Sequence, residues 1–368
     1  MEKKKILFFI NTLSSGGAEK VLVDLLNAID TSQYEIDLLT VNGGVHESRL
    51  PKGINYRKII KKNNGLGKFL SKIVYHLPLS LFRKLYIKKK YDIEIAYLEG
   101  FPTRVISQSQ NAKKIAFVHF DASVKPVLQG IYGSTEKCYE EYKRFEKVCF
   151  VSNQAKEGFE KTIGKLDNAS VVHNVINYEE VKQKSLEENN FEFETTGLKI
   201  ISAGRLSPEK GYERLITIAG ELEKQFDFEL CILGEGQERE KLEQIIKDKE
   251  IKSVRLLGFQ ANPYSYMKKA DLYVCSSFYE GYSTTVAECV ALGIPVLTTK
   301  CAGMDEILEN GKTGIIIENS DNSLKEQLSL LLKDESVLKE IQSDIEGGFN
   351  VHSHNRGLKE NADLLSAL

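Results

Sequence analysis

Lys199–Leu222 reads KIISAGRLSPEKGYERLITIAGEL. The apolar residues at its start run together rather than alternate, as in a parallel strand buried on both faces. A glycine-bounded turn, Gly204–Gly211, follows, and Tyr212–Leu222 then has the composition of a helix. The same order stands near the N-terminus: KILFFI (Lys5–Ile10), NTLSSGG (Asn11–Gly17) and AEKVLVDLLNAI (Ala18–Ile29). Two strand–turn–helix units of this kind in one chain predict an α/β protein with two Rossmann-like halves.

Working outward, strands are expected at 35–41, 93–97, 114–118, 147–151 and 170–173. Further strands are expected in FELCILG, VRLLG, ADLYVCS, PVLTT and TGIIIE. Strands separated by helical segments indicate parallel sheets, with ligand loops at their carboxyl ends. The polar, acidic stretch 179–196 reads as the boundary region. The expected domains are therefore 1–180, 181–350 and a C-terminal helix, 351–368, that packs back on the first. The two glycine loops are expected to face one another across a cleft.

The 368 residues suit two domains, and 42% hydrophobic with 28% charged residues suits folded cores with a wet surface. Cys138, Cys149, Cys231, Cys275, Cys289 and Cys301 lack metal-type spacing and read as reduced, buried thiols. The histidines, His46, His76, His119, His173, His352 and His354, form no convincing metal set. MEKKKILFFI is not a secretory signal and no apolar run is long enough to span a bilayer, so a cytoplasmic protein is expected. A net charge of -2 argues against a nucleic-acid partner. Charge is nonetheless uneven: residues 52–90 hold 12 Lys or Arg and no acid.

Several segments carry chemistry. Gly16-Gly17 permits close backbone approach and unusual dihedrals before a helix whose N–H groups suit an anion; a plain tight turn reads equally from these residues. It is not the GxGxxG fingerprint of dinucleotide enzymes. Arg205 and Lys210 place two cations at one strand exit, where they are suited to the charge on a departing diphosphate. In SSFYEGYSTTVAECVALGIPVLTT, Glu280 precedes a helix whose N-terminal amides at Ser283, Thr284 and Thr285 point to an anion, and Glu288 lies within that helix. An ionised carboxylate accepts hydrogen bonds from diols, which suits Glu288 to a ribose and Glu280 to a sugar. Gly234-Glu235-Gly236 and Gly258, with the backbone at Phe259 and Gln260, are candidates for the wall around a base. His119, in VHFD, ends a strand of the first domain and is suited to a sugar hydroxyl. His173 and Asn174 read as a structural hinge.

These residues together resemble the retaining GT-B glycosyltransferases of family 4. The resemblance rests on SSGGAE with Gly17 and Glu19, on GRLSPEKG, on Glu280 and Glu288 in EGYSTTVAE, on LGIPVLTT and on GMDEILENGKTG, and covers residue 5 to about 320. It implies that Arg205 and Lys210 bind the donor diphosphate, Glu288 the ribose and Glu280 the donor sugar, with His119 beside the reaction centre. It further implies retention of configuration by a front-face path, with no divalent metal and no cofactor. Where many relatives have paired glycines, this chain has Cys301-Ala302-Gly303-Met304-Asp305-Glu306.

GLGKFLSKIVYHLPLSLFRKLYIKKKY (65–91) mixes large apolar and basic residues, and Pro78 divides it into two expected helices. The region 52–91 is expected to attach reversibly to an anionic membrane surface, on the inner face, where a lipid-linked saccharide is available. The sequence most resembles bacterial surface-polysaccharide members, so a UDP-hexose or UDP-N-acetylhexosamine is the expected donor, with GDP-mannose open. A soluble saccharide acceptor, or a non-catalytic nucleotide-sugar binding module, are the alternatives.

Overall fold

The computed structural model describes residues 3–61, 64–124, 127–346 and 350–367, without the side chains of 127 and 350–355. The side chains of His352 and His354 therefore lie outside it. The chain divides into two compact units, Met1–Val175 with Arg356–Leu368, and Ile176–Asn355.

The first unit is built on a parallel sheet of β1 (Lys4–Ile10), β2 (Tyr34–Thr40), β3 (Asn55–Lys58), β4 (Ile93–Ala96), β5 (Lys113–Val118), β6 (Lys147–Phe150) and β7 (Ala169–Val171). Their order is β3-β2-β1-β4-β5-β6-β7. Ile6–Ile10 are fully buried, which is why β1 reads as an unbroken apolar run. Leu7, Phe9, Phe82, Phe150 and Phe159 share one core, and Phe101 packs edge-on to Phe82 at 5.0 Å between centroids. Edge strand β3 lies inside the stretch expected to meet a membrane. Its residues, NYRK, are partly exposed and lack the apolar run that marked the other strands.

Two helices follow, α2 (Gly65–His76) and α3 (Leu79–Tyr86), with Pro78 at the N-cap of α3. Proline fits there because a helix start needs no N–H from it. α2 buries only its small face, Gly67, Ser71 and Val74. Leu66, Phe69 and Ile73 point outward, 57%, 61% and 45% exposed, while Tyr75 packs edge-on to Phe101.

The second unit contains β8 (Leu198–Ala203), β9 (Phe228–Leu233), β10 (Val254–Gly258), β11 (Leu272–Cys275), β12 (Val296–Thr299) and β13 (Gly314–Ile317). The parallel order is β10-β9-β8-β11-β12-β13. Ile200, Leu215, Ile216, Ile232 and Val274 pack in its core. The acidic stretch expected as a boundary instead begins with a helix, Tyr178–Ser185, capped by Asn177 and burying Tyr178 and Val181. The Asn262 amide donates to the Lys184 carbonyl at 2.8 Å, so this helix belongs to the second unit. Its few apolar residues are too sparse to announce it.

At the other end, the helix Asn350–Ser366 carries Glu360, which accepts from both the backbone N–H and Nδ1 of His173 at 2.8 Å. Asn361 donates to the His173 carbonyl at 3.2 Å. His173 is thus anchored by the C-terminal helix. All six cysteines are buried and free.

Candidate functional site

In the second unit the strand order reverses between β8 and β11, the place where open α/β sheets bind ligands. The β8 exit is Gly204–Gly211, and the β11 exit is Ser276–Ser283. Gly211 turns the first loop with φ +66°, and a Cβ there would lie 2.2 Å from the Ser276 carbonyl oxygen. The Ser276 hydroxyl returns a hydrogen bond to the Lys210 carbonyl at 2.9 Å. With the Phe278 N–H donating to the Glu209 carbonyl at 2.8 Å, the two exits are joined, which places Lys210 against Glu280.

Lys210 Nζ donates to Glu280 Oε1 at 2.6 Å, and Ser277 Oγ donates to the same oxygen at 2.7 Å. Burial works against the Lys210 ammonium, but the pull of Glu280, with Cys275 and Tyr212, outweighs it and raises its pKa. Lys210 is therefore a fixed positive charge. Arg205 is exposed, and among the described residues no hydrogen bond or ion pair holds its guanidinium. One tethered and one available cation at a strand exit suit an incoming diphosphate.

Ser283 caps the helix Thr284–Ala291, its side chain accepting from the Val286 N–H, with Thr284 and Thr285 opening the first turn. Glu288 is buried on that helix, 3.1 Å from the Tyr264 hydroxyl. At the β9 exit Gly234 has φ +142°, and a Cβ there would lie 1.8 Å from the Gly204 carbonyl oxygen. At the β10 exit Phe259 is half exposed and the Gln260 amide folds back on the Leu257 carbonyl at 2.8 Å. After β12, Gly303 takes φ +81° and packs on the backbone of Gly281 and Tyr282. The residues Arg205, Lys210, Phe259, Glu280, Ser283, Thr284, Thr285 and Glu288 thus share one sheet and its carboxyl side. Lys210 and Glu280 touch directly.

Arg214 was not singled out by the sequence, where it reads as an ordinary charge on an amphipathic helix. It is buried, donates to the Ser276 carbonyl at 2.6 Å and to the Ser277 carbonyl at 3.0 Å, and lies 4.0 Å from the Phe278 ring centroid. Thr299 Oγ1 also donates to the Ser277 carbonyl, at 2.6 Å. This network fixes the loop that presents Glu280.

In the first unit the order reverses between β1 and β4. Gly16 caps α1 (Gly17–Ala28) with φ −82°, and neither Gly16 nor Gly17 takes a positive φ, so unusual dihedrals are not why glycine stands there. The reason at Gly16 is space. A Cβ would meet the Glu19 carboxylate at 2.1 Å. Glu19 Oε1 accepts from Thr12 Oγ1 at 3.0 Å and Ser14 Oγ at 2.9 Å, closing the loop.

His119 follows β5, its ring 5.1 Å from that of Tyr97. Burial lowers its pKa to about 4, so the imidazole is neutral at ordinary pH. Its backbone N–H donates to Glu99 Oε1. Glu99, which the sequence reading passed over, leaves β4 before Gly100, and burial pushes its carboxyl up to about 7. A glutamate followed by glycine at a strand exit was the available signal. Among the described residues no group of three or more His, Cys, Asp or Glu is arranged to hold a metal ion.

Residues 183–346 match the family model for glycosyl transferases group 1. The chain is similar along most of its length to two Campylobacter jejuni enzymes. One is N-acetylgalactosamine-N,N'-diacetylbacillosaminyl-diphospho-undecaprenol 4-alpha-N-acetylgalactosaminyltransferase, 26% identical over 363 residues, 91% of this chain and 92% of that one. The other is GalNAc-alpha-(1->4)-GalNAc-alpha-(1->3)-diNAcBac-PP-undecaprenol alpha-1,4-N-acetyl-D-galactosaminyltransferase, 25% identical over 364 residues, 92% and 91%. In fold the chain is similar to Anabaena HepE, crystallised with UDP and glucose: TM-score 0.75, 19% identity, 99% of this chain and 100% of that one. Two parallel-sheet, Rossmann-like units are the architecture of the GT-B glycosyltransferases.

Proposed function

We propose that this protein is a metal-independent, retaining glycosyltransferase that moves a hexose or N-acetylhexosamine from a UDP-sugar to a lipid-linked saccharide in surface-polysaccharide synthesis. The observation that carries the reading is the paired Lys210 and Glu280 beside an available Arg205, within the segment matched by the family model. Arg205 and Lys210 hold the donor diphosphate and stabilise the charge that grows on it as the sugar leaves. Glu280, already oriented by Lys210 and Ser277, accepts from hydroxyls of the donor sugar. Glu288 serves the ribose, and the backbone beside Phe259 the base.

Retention is supported by the α linkages in the names of both Campylobacter relatives, since an α-linked nucleotide sugar gives an α product only with configuration kept. Those names also carry undecaprenol diphosphate acceptors, which favours a lipid-linked acceptor and an N-acetylhexosamine donor here. The outward apolar face of α2, set among basic residues, supports docking on the anionic cytoplasmic leaflet. Among the described residues no helix is long and apolar enough to cross a membrane.

The test is transfer in EDTA from radiolabelled UDP-glucose, UDP-galactose, UDP-N-acetylglucosamine, UDP-N-acetylgalactosamine and GDP-mannose, compared side by side with bacterial lipid-linked saccharides. Label entering the lipid fraction from one UDP-sugar is expected. Absence of UDP binding by the folded protein overturns the reading.

A further inference from the structure

The loop that presents Glu280 is gripped from behind by side chains that the donor-side reading does not use. Arg214, on the helix Tyr212–Leu222, donates to the Ser276 carbonyl through Nε at 2.9 Å and Nη2 at 2.6 Å, and through Nη2 to the Ser277 carbonyl at 3.0 Å. Asn319, just past β13 and 105 residues away in sequence, accepts the same Nη2 on its Oδ1 at 2.9 Å. Its amide nitrogen donates to the Phe278 carbonyl at 2.9 Å and to the Ser277 carbonyl at 3.3 Å. Consecutive carbonyls of Ser276, Ser277 and Phe278 are thus held by two side chains that also hold each other.

Ser277 is where this grip meets the site. Its carbonyl also accepts from Thr299 Oγ1 at 2.6 Å and Cys301 Sγ at 3.3 Å, so side-chain donors crowd an atom that has two lone pairs. Its hydroxyl donates to Glu280 Oε1 at 2.7 Å. One residue is therefore fixed at its backbone from the rear and fixes the carboxylate at the front. The Arg214 side chain is only 4% exposed, and Asp321, the carboxylate paired with it, stands 3.6 Å from Nη1 and is itself 68% exposed. Burial lowers the Arg214 pKa, and Asp321 does not make up the loss. A buried cation so weakly paired needs dipoles around it, and the Ser276 and Ser277 carbonyls are those dipoles.

We propose that Arg214 and Asn319 are positioning residues for the transfer step, acting through Ser277 on Glu280. The proposal rests on the transferase reading for what Glu280 does, and on these hydrogen bonds alone for how it is held. A group that orients substrate must be kept within about 0.5 Å of its working place, and Glu280 stands on a loop, where the sheet ladder cannot do this. Without Arg214 the carbonyls of Ser276 and Ser277 lose donors at the rear, and the Ser277 hydroxyl no longer stays under Glu280. Arg205 and Lys210 stand on the other loop and still meet the diphosphate. The signature is a loss of turnover without a matching loss of UDP affinity.

The experiment uses the full chain and the variants Arg214→Gln and Asn319→Ala, each alone and combined with Glu280→Gln. UDP affinity is read by calorimetry, turnover with the UDP-sugar that the parent transfers, UDP-N-acetylgalactosamine first, and loop order by hydrogen exchange of the free chain over residues 276–283. kcat is expected to fall roughly twenty- to fiftyfold in Arg214→Gln and about five- to tenfold in Asn319→Ala, with donor KM and UDP affinity within about threefold. Glu280→Gln, a loss of about a hundredfold in the parent, should cost less than about tenfold beside Arg214→Gln, because a misplaced carboxylate has little left to lose. An undiminished Glu280→Gln loss, or turnover and UDP affinity falling together, shows a merely structural role and overturns the proposal. If Arg214→Gln does not fold, Asn319→Ala carries the same comparison. A parent chain with neither UDP binding nor transfer sinks the transferase reading; exchange over 276–283 at least about fivefold faster in a variant then upholds the grip on the loop, and unchanged exchange overturns it.

Discussion

Lys210 Nζ lies 2.6 Å from Glu280 Oε1, and the two side chains come from loops 70 residues apart in sequence. The contact makes each the other's positioning device. Lys210→Ala removes the fixed cation and leaves Glu280 with Ser277. UDP affinity is expected to fall at least tenfold by calorimetry, and transfer by about 10²–10³, the usual effect of losing one charge-stabilising group. A folded Lys210→Ala protein that turns over within twofold of the parent would remove the diphosphate assignment.

Gly211 tests the joint between the same loops. Alanine there takes on a left-handed φ of +66° and a Cβ 2.2 Å from the Ser276 carbonyl. Gly53 has φ +102° and nothing within 4 Å of its Cβ. Gly211→Ala should cost about 2 kcal/mol or more, and Gly53→Ala only the dihedral penalty of about 1–2 kcal/mol. Denaturant unfolding by circular dichroism compares them, and equal losses would show that the Gly211–Ser276 approach relaxes freely.

Both sheets and the β8 and β11 loops were legible because contiguous apolar runs and glycine-bounded exits are local signals. β1 and β8 announce themselves within a few residues. Arg214 was not legible, and Glu99 only as a glutamate before glycine at a strand exit: burial of a charge is decided by which loops the topology brings over it. β3 escaped because NYRK is half exposed, and the Tyr178–Ser185 helix because capping by Asn177 and two buried residues suffice when a neighbouring element supplies the rest. The role of Gly16 needed the position of Glu19, which composition does not give.

The apolar face of α2 predicts a membrane phenotype separable from catalysis. Phe69→Ser with Ile73→Ser removes exposed side chains without touching the buried Gly67, Ser71 and Val74. Flotation with phosphatidylglycerol vesicles should fall at least tenfold, with UDP affinity and unfolding temperature unchanged. Flotation equal to the parent, or none by the parent itself, would refute the leaflet reading.

Glu99 carries a stability cost whose sign follows from its raised pKa. With the folded value about 7 and the ordinary value 4.5, the folded state binds more protons between them, so stability falls as pH rises through that window. Glu99→Gln removes the ionisation and keeps an acceptor for the His119 N–H. The variant should gain stability relative to the parent at pH 8 and little at pH 4. His119, lowered to about 4 against an ordinary 6.5, costs stability as pH falls below 6.5, but it does so in parent and variant alike and cancels in the difference between them. A gain that is the same at both pH values would show that Glu99 does not titrate there.

Glu360 works in the opposite direction, at the far end of the chain. Burial alone would raise its pKa, but hydrogen bonds from the His173 side chain and backbone, helped by Arg356, hold it at about 2 against an ordinary 4.5. The folded state here binds fewer protons, so the contribution is full above 4.5 and is lost as pH falls towards 2. Glu360→Gln should therefore lower the unfolding temperature of the parent at pH 6–7, and the difference should shrink steadily below pH 4.5. Calorimetry across pH 3–7 makes the comparison. A gap that does not narrow on acidification would mean that the C-terminal helix is held by its apolar residues, Leu364 and Leu365 among them, and not by the carboxylate that grips His173.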